Sequence, residues 1–212
     1  ASDDASPYAP PRAALHDDSA LVAGNHVVYA GFWKRVAASI IDSFVTSMLF
    51  WVIMIPVFAI AGGGLSAISS LGDGTAGALF TAAYYLTSIL IPMVYLAWMH
   101  SSSNQASLGK MAVGIKVVRT DGERISFLRG IGRYFGYMLS SLLLMIGLIM
   151  AAFTDRKQAL HDFICDTLVV DKHAFTSHPE LQRDELGSVT IAILVLAGLF
   201  VVGMFVLIGI AI

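Results

Sequence analysis

The C-terminal run of the chain, residues 188–212, carries no charged side chain and constrains the fold more than any other feature. A helix needs about 20 apolar residues to cross a hydrocarbon core roughly 30 Å thick. Only 13% of all residues are charged and 57% are apolar, whereas soluble domains carry about 25% charged residues. These observations predict an integral membrane protein.

Three earlier apolar segments, 36–61, 76–99 and 134–153, have the length of membrane spans. We therefore predict an all-α fold, a polytopic membrane bundle of three to four spans. For 134–153 two interpretations remain open. A full crossing places Arg156 and Lys157 outside, against the positive-inside rule, whereas a re-entrant segment keeps them inside. We favour the full crossing because the run is long enough for one.

The apolar segments also divide the chain into regions. Residues 1–26 are rich in Asp, Ser, Ala and Pro without periodicity, which is typical of a disordered acidic tail. Residues 27–172 form the predicted membrane domain. Residues 173–187 are a polar linker, and 188–212 form a C-terminal transmembrane helix.

A basic segment, residues 100–133, separates the second and third apolar segments. Lys34 and Arg35 precede the first span, whereas the connection after that span has no Lys or Arg. The positive-inside rule then places the N-terminus and the basic segment in the cytoplasm. We expect its basic side chains to contact anionic lipid headgroups; they are Lys110, Lys116, Arg119, Arg124, Arg129 and Arg133.

Within the basic segment, residues 115–126 read IKVVRTDGERIS. Two short strands around an Asp-Gly turn are the usual interpretation of such a pattern. We therefore predict a short cytoplasmic β-hairpin or amphipathic segment.

A polar stripe runs along one face of the first span and contains Arg35, Ser39, Asp42 and Thr46, because these residues follow helical spacing. An ionisable group in a span is costly unless it faces a bundle interior or a water-filled cavity. Asp42 is thus a candidate site, the alternative being a contact that fixes helix packing. Helical side chains lean toward the N-terminus, so Arg35 should not pair with Asp42 and is free to bind a lipid phosphate or another carboxylate.

A second acidic stripe is predicted if residues 155–166 are helical, since Asp155, Asp162 and Asp166 would lie within about 40° of each other. It would bind a cation or meet Arg35; the alternative is a solvated helix face. His161 and Cys165 are too few to indicate a metal site. We expect no cofactor, and the net charge of −2 gives no reason to expect nucleic-acid binding.

Three separated motifs resemble one known family, the RDD family of bacterial membrane proteins. They are AGFWKRVAASIID at 30–42, ASLGKMAVGIKVVRTDGERISFLRGIGRY at 106–134 and RKQALHDFICDTLVV at 156–170. The family often has Thr-Pro-Gly-Lys where this chain has Ser-Leu-Gly-Lys at 107–110. The resemblance implies a multi-pass protein of the bacterial inner membrane.

The family name refers to one arginine and two aspartates, which here would be Arg35, Asp42 and Asp162. Most members have no established activity, although cation/proton exchange has been proposed for some. Our first hypothesis is a non-catalytic component, not an enzyme, that assembles as a homo-oligomer or with a partner membrane protein, or positions lipids. The alternative is a small exchanger in which Asp42 alternately binds a proton and a monovalent cation.

Overall fold

The computed structural model describes residues 27–60, 74–142 and 146–211. Three long helices dominate: α1 (Phe32–Ile60), α2 (Gly74–Ser101) and, near the C-terminus, a helix at Ser188–Ala211. Each is long and apolar enough to cross a membrane. The predicted all-α membrane fold with three to four spans is therefore confirmed. The predicted tail 1–26 lies outside the described residues.

Shorter elements lie between the second and the last long helix. They are α3 (Leu108–Val113), β1 (Ile115–Arg119), α4 (Phe127–Leu142), α5 (Ile146–Ile149), α6 (Leu160–Ile164) and β2 (Thr167–Asp171). Single 3₁₀ turns occupy Met150–Ala152 and Pro179–Leu181, and the C-terminal helix is α7 (Ser188–Ala211). The predicted polar linker thus contains the second 3₁₀ turn.

The sheet has a different second strand from the one predicted. β1 pairs antiparallel with β2, with Ile115 opposite Asp171 and Arg119 opposite Thr167. The Asp-Gly turn exists, since Gly122 N donates to the Arg119 carbonyl, but no strand follows it. The predicted hairpin is therefore wrong. β2 is buried along its whole length. It is therefore a better apolar partner for β1 than the charged residues that follow the turn.

The segment after β1 folds back on itself. α4 and α5 meet at 115°, and a Cβ built on Gly147 would lie 2.6 Å from Ser140 Oγ. In one continuous helix those residues are about 10.5 Å apart along the axis. Gly136 packs against His161, so the chain is back beside α4 by that point. A bent pair of this kind is either a broken span or a re-entrant segment. The return of the chain to α4 favours the re-entrant alternative, and the full crossing over 134–153 stays a prediction.

This folding makes a topological prediction. In a Cys165→Ser background, cysteines introduced at Ser103 and Ser177 should react with a membrane-impermeant maleimide from the same side. A cysteine at Ile60 should react from the opposite side, because α1 carries the chain across. Labelling in right-side-out and inverted vesicles measures this. If the Ser177 cysteine instead reacted from the same side as the Ile60 cysteine, segment 134–153 would cross the membrane fully.

Candidate functional site

One buried carboxylate, Asp162, joins α6 to two other helices. Arg35 Nη1, from α1, lies 2.5 Å from Asp162 Oδ2, and Arg133 Nη1, from α4, lies 2.6 Å from Oδ1. The Asp162 side chain is fully buried. Its Oδ2 also accepts a hydrogen bond from the Ala159 amide at 3.0 Å. We call Arg35, Arg133 and Asp162 the Asp162 cluster.

Both arginines of this cluster are also held by other groups. Arg35 Nε donates to the Ala30 carbonyl at 3.1 Å, and Nη2 donates to the Lys157 carbonyl at 2.6 Å. Arg133 Nη1 donates to Thr167 Oγ1 at the start of β2. The cluster therefore ties the start of α1 to α4, α6 and the sheet.

The charges of the cluster decide its protonation. Burial alone would raise the pKa of Asp162, but the Arg35 and Arg133 charges outweigh burial and hold this pKa well below its ordinary range. Burial lowers the pKa of the neighbouring His161 to about 3, against the attraction of Asp162 and with added repulsion from Arg133. Asp162 is thus charged and His161 neutral near pH 7.

A second buried carboxylate, Asp42, lies in the third turn of α1 and is 6% exposed. Its Oδ1 accepts from the Tyr95 hydroxyl at 3.0 Å and from the Gly109 amide at 2.8 Å. Its Oδ2 accepts from Ser107 Oγ at 2.5 Å, and Lys110 Nζ lies 4.0 Å away. We call these five residues the Asp42 cluster. It joins α1 to α2 and to the beginning of α3.

The close approach of α3 to α1 depends on one glycine. A Cβ on Gly109 would lie 2.1 Å from the Ala38 carbonyl oxygen and 2.9 Å from Asp42 Cγ. Burial lowers the pKa of Lys110 to about 8, against the attraction of Asp42.

The structure places the other residues of the α1 stripe away from the Asp42 carboxylate. Ser39 is exposed. Thr46 Oγ1 donates to the backbone carbonyl of Asp42 at 2.9 Å rather than to its side chain. Arg35 bonds Asp162 instead of Asp42.

The predicted acidic stripe does not form. α6 includes only five residues and begins after Asp155, which is exposed. Asp166 is also exposed and accepts a hydrogen bond from Thr120 at 3.2 Å. The prediction fails because it requires one continuous helix from 155 to 166.

Three of the six basic residues predicted to contact headgroups are largely buried. Arg133 belongs to the Asp162 cluster and Lys110 to the Asp42 cluster. Lys116 is 8% exposed on β1. Lys110 and Arg133 therefore do not face lipid headgroups, because each lies beside a buried carboxylate, which is the stronger partner for a buried cation.

The other three basic residues are more accessible. Arg119 pairs with Asp121 and Glu123, each at 2.9 Å. Arg124 is exposed and Arg129 is half-buried. Headgroup contact remains a prediction for these three arginines and for Lys116, which lines an open cavity despite its low exposure.

Sequence reasoning missed the donors around Asp42. Tyr95 lies in an apolar helix, where a tyrosine is unremarkable, and Ser107 and Gly109 look like turn residues. Their only signal is the motif ASLGK at 106–110. As for metals, no group of three or more His, Cys, Asp or Glu residues suited to an ion occurs within 27–60, 74–142 and 146–211.

The chain matches known proteins over the region that contains both clusters. Residues 29–166 match the model of the RDD family. The uncharacterized protein YxaI of Bacillus subtilis (strain 168) is 38% identical over 148 residues, which cover 68% of this chain and 97% of YxaI. The uncharacterized membrane protein YteJ of the same organism is 30% identical over 153 residues, 69% of this chain and 84% of YteJ.

A third Bacillus subtilis relative, the uncharacterized protein YckC, is 28% identical over 165 residues, 74% of this chain and 92% of YckC. No solved structure is significantly similar to the chain. The matched region contains Arg35, Asp42 and Asp162 together with nearly all of their partners. This chain therefore belongs to the RDD family of membrane proteins.

Proposed function

We propose that this protein is a non-catalytic component of the bacterial inner membrane that assembles with, or positions, other membrane proteins or lipids. In this proposal Arg35, Asp42 and Asp162 fix the architecture and carry no ion. The observation that supports it most is that protein donors occupy most of the acceptor positions of Asp42. A carboxylate offers about four acceptor positions, and three protein donors already use both Asp42 oxygens while Lys110 lies beside them.

The balance of charge also disfavours a cation. Three buried or half-buried cations, Arg35, Lys110 and Arg133, surround two carboxylates, Asp42 and Asp162, so that 3 − 2 leaves a net charge of +1. A metal cation entering this region would be repelled unless a carboxylate first lost its partner.

The long helices support the assembly role. α1, α2 and α7 bury few side chains against the rest of the chain, so most of their surface is available to lipid or to other membrane proteins. The described lysines and arginines lie at the end of the bundle where α1 begins, as the contacts of Arg35, Lys157 and Arg183 illustrate. By the positive-inside rule we assign this end, with the N-terminus, to the cytoplasm.

One observation favours the exchanger as a second candidate. A cavity of about 290 Å³ between α1 and α2 is lined partly by hydroxyl groups, those of Thr46, Ser47, Tyr84 and Ser88. It begins one helical turn beyond Asp42. Hydroxyl oxygens in a span provide the polar surface that an ion path needs. Under this alternative Asp42 would have to exchange its protein donors for an ion.

Replacement of Asp42 by asparagine distinguishes the non-catalytic component from the exchanger. We expect wild-type proteoliposomes to show no Na⁺/H⁺ or K⁺/H⁺ exchange above protein-free vesicles, measured with an entrapped pH-sensitive dye. We expect Asp42→Asn to lower the free energy of unfolding by about 2–4 kcal/mol, because the hydroxyl, amide and ammonium donors lose a charged acceptor. Thermal unfolding in detergent measures this loss.

The matched control is Asp155→Asn, which removes an exposed carboxylate and should leave stability unchanged. An exchange activity in the wild type that disappears in Asp42→Asn, while the unfolding temperature stays constant, would contradict the proposal and establish the exchanger.

A further inference from the structure

A second cavity, of about 450 Å³, lies at the basic end of the molecule, outside both carboxylate clusters. Its walls are the turn after α2 (103–106), the residues around the start of β1, and the turn after β2 (172–176). We call it the Lys116 pocket. Its volume is in the range of pockets that hold small ligands, about 300–1,000 Å³.

The Lys116 pocket carries two positive charges, one on β1 and one directly after β2. Lys116 lies opposite Val170 in the β1–β2 register, so Lys172, two residues further along, is its diagonal neighbour on the same face. Both lysines line the cavity, and among the described lining residues none is acidic. Asp171 points to the other face, where it accepts from the amides of His173 and Arg183.

Apart from Thr176, whose hydroxyl donates to the His173 carbonyl, the polar side chains of the pocket have no partner in the described part of the chain. The ammonium groups of Lys116 and Lys172 form no hydrogen bond or ion pair there, although Lys116 is only 8% exposed. The side chains of Ser103, Asn104 and Gln105 at the opposite wall also lack a hydrogen bond to described residues. Burial lowers the pKa of Lys116, with Asp171 opposing; a bound anion would offset this cost of burying a cation.

Two residues of the pocket adopt a left-handed backbone conformation. Gln105 has φ 54° and Phe175 has φ 56°, and only four non-glycine residues in the described ranges have a positive φ. The Phe175 ring packs on Gly122, where an added Cβ would lie 2.5 Å from the ring. Such a conformation costs of order 1–3 kcal/mol and often occurs at ligand sites. Here it shapes two walls of the pocket, the turn before α3 and the turn after β2.

We propose that the Lys116 pocket binds one phosphate-bearing anion, either the headgroup of an anionic lipid or a small soluble phosphate compound. Lysine ammonium groups bind phosphate oxygens as point charges, and the hydroxyl and amide groups of Ser103, Asn104 and Gln105 supply neutral donors for the remaining oxygens. Because Asp42 and Asp162 do not line the pocket, this inference is independent of the proposed function.

The test uses the full chain purified in a neutral detergent. Two probes distinguish the sources: pyrophosphate for a soluble ligand, and dioctanoyl phosphatidic acid, with dioctanoyl phosphatidylcholine as the neutral comparison, for a lipid. We expect at least one anionic probe to bind the wild type saturably, measured by calorimetry and by native mass spectrometry. We expect Lys172→Gln and Lys116→Gln each to weaken that binding roughly tenfold or more.

Arg124→Gln is the matched control, because it removes an exposed positive charge at the same end of the molecule but outside the pocket. Lys172 is exposed, so its replacement should keep the fold even if Lys116→Gln does not, and thermal unfolding verifies this. Pyrophosphate binding without phosphatidic acid binding indicates a soluble ligand, and the reverse indicates a headgroup. The proposal is overturned if no anionic probe binds the wild type, if Lys172→Gln binds as the wild type does, or if Arg124→Gln weakens binding equally.

Discussion

Replacement of Asp162 by asparagine is expected to destabilise this protein by about 3–5 kcal/mol, because removing one partner of a buried ion pair leaves uncompensated charge. Here two arginines, Arg35 and Arg133, would lose the same carboxylate. Both lie at the junction of α1, α4 and α6, so the loss should separate the start of α1 from the sheet. Thermal unfolding followed by tryptophan fluorescence in detergent measures the effect.

The pH dependence offers a second measurement of the same cluster. The pKa of Asp162 is lowered in the folded protein, so its contribution to stability is complete above the unfolded pKa of about 4. It decreases as the pH falls further toward the folded pKa. The difference in stability between wild type and Asp162→Asn should therefore be constant from pH 5 to 8 and shrink only in stronger acid.

Two variants control this experiment. Asp166→Asn removes an exposed carboxylate with a single hydrogen bond from Thr120 and should change stability by less than about 0.5 kcal/mol. Adding Arg35→Gln to Asp162→Asn should recover part of the loss, because one of the two unpaired cations is removed. If Asp162→Asn were no less stable than Asp166→Asn, the cluster would not hold the fold together.

Gly109→Ala should have the other large effect, although it adds only a methyl group. The new Cβ would lie 2.1 Å from the Ala38 carbonyl oxygen, a backbone atom that cannot rotate away. α3 would have to move off α1, which breaks the hydrogen bonds from Gly109 and Ser107 to Asp42. Steric strain and the lost charge-assisted bonds together predict a loss of about 3 kcal/mol or more.

The yield of monodisperse protein in size-exclusion chromatography and the unfolding temperature measure the effect of Gly109→Ala. The matched control is Gly198→Ala in α7, where an added Cβ would meet nothing within 4 Å. That change should be neutral or slightly stabilising, because alanine has the higher helix propensity. Equal behaviour of the two variants would mean that α3 does not need its close contact with α1.

The two carboxylate clusters have a common physical consequence. In lipid, apolar side chains give little preference for one helix arrangement over another, because lipid tails are as apolar as the side chains. Asp42 joins α1 to α2 and α3, and Asp162 joins α1 to α4 and α6. The apolar surfaces of these helices would tolerate several arrangements. The polar contacts therefore select one of them.

Much of the protein follows from local sequence. The long apolar runs determined the three spanning helices, because a span depends mainly on length and hydrophobicity. The motifs around Arg35, Asp42 and Asp162 indicated the family, and the depth of Asp42 in an apolar helix indicated a buried carboxylate. The first strand was also correctly predicted from its branched residues at 115–119.

Tertiary structure alone decided which groups meet. β1 pairs with β2, far along the chain, because a fully buried strand is the better apolar partner. The chain is back beside α4 at His161, where α6 contacts Arg35 and β2 pairs with β1. The hydrophobicity of 134–153 does not reveal these contacts. The donors to Asp42 come from Tyr95, Ser107 and Gly109, since hydrogen bonds between segments distant in sequence leave no periodic signal in any one of them.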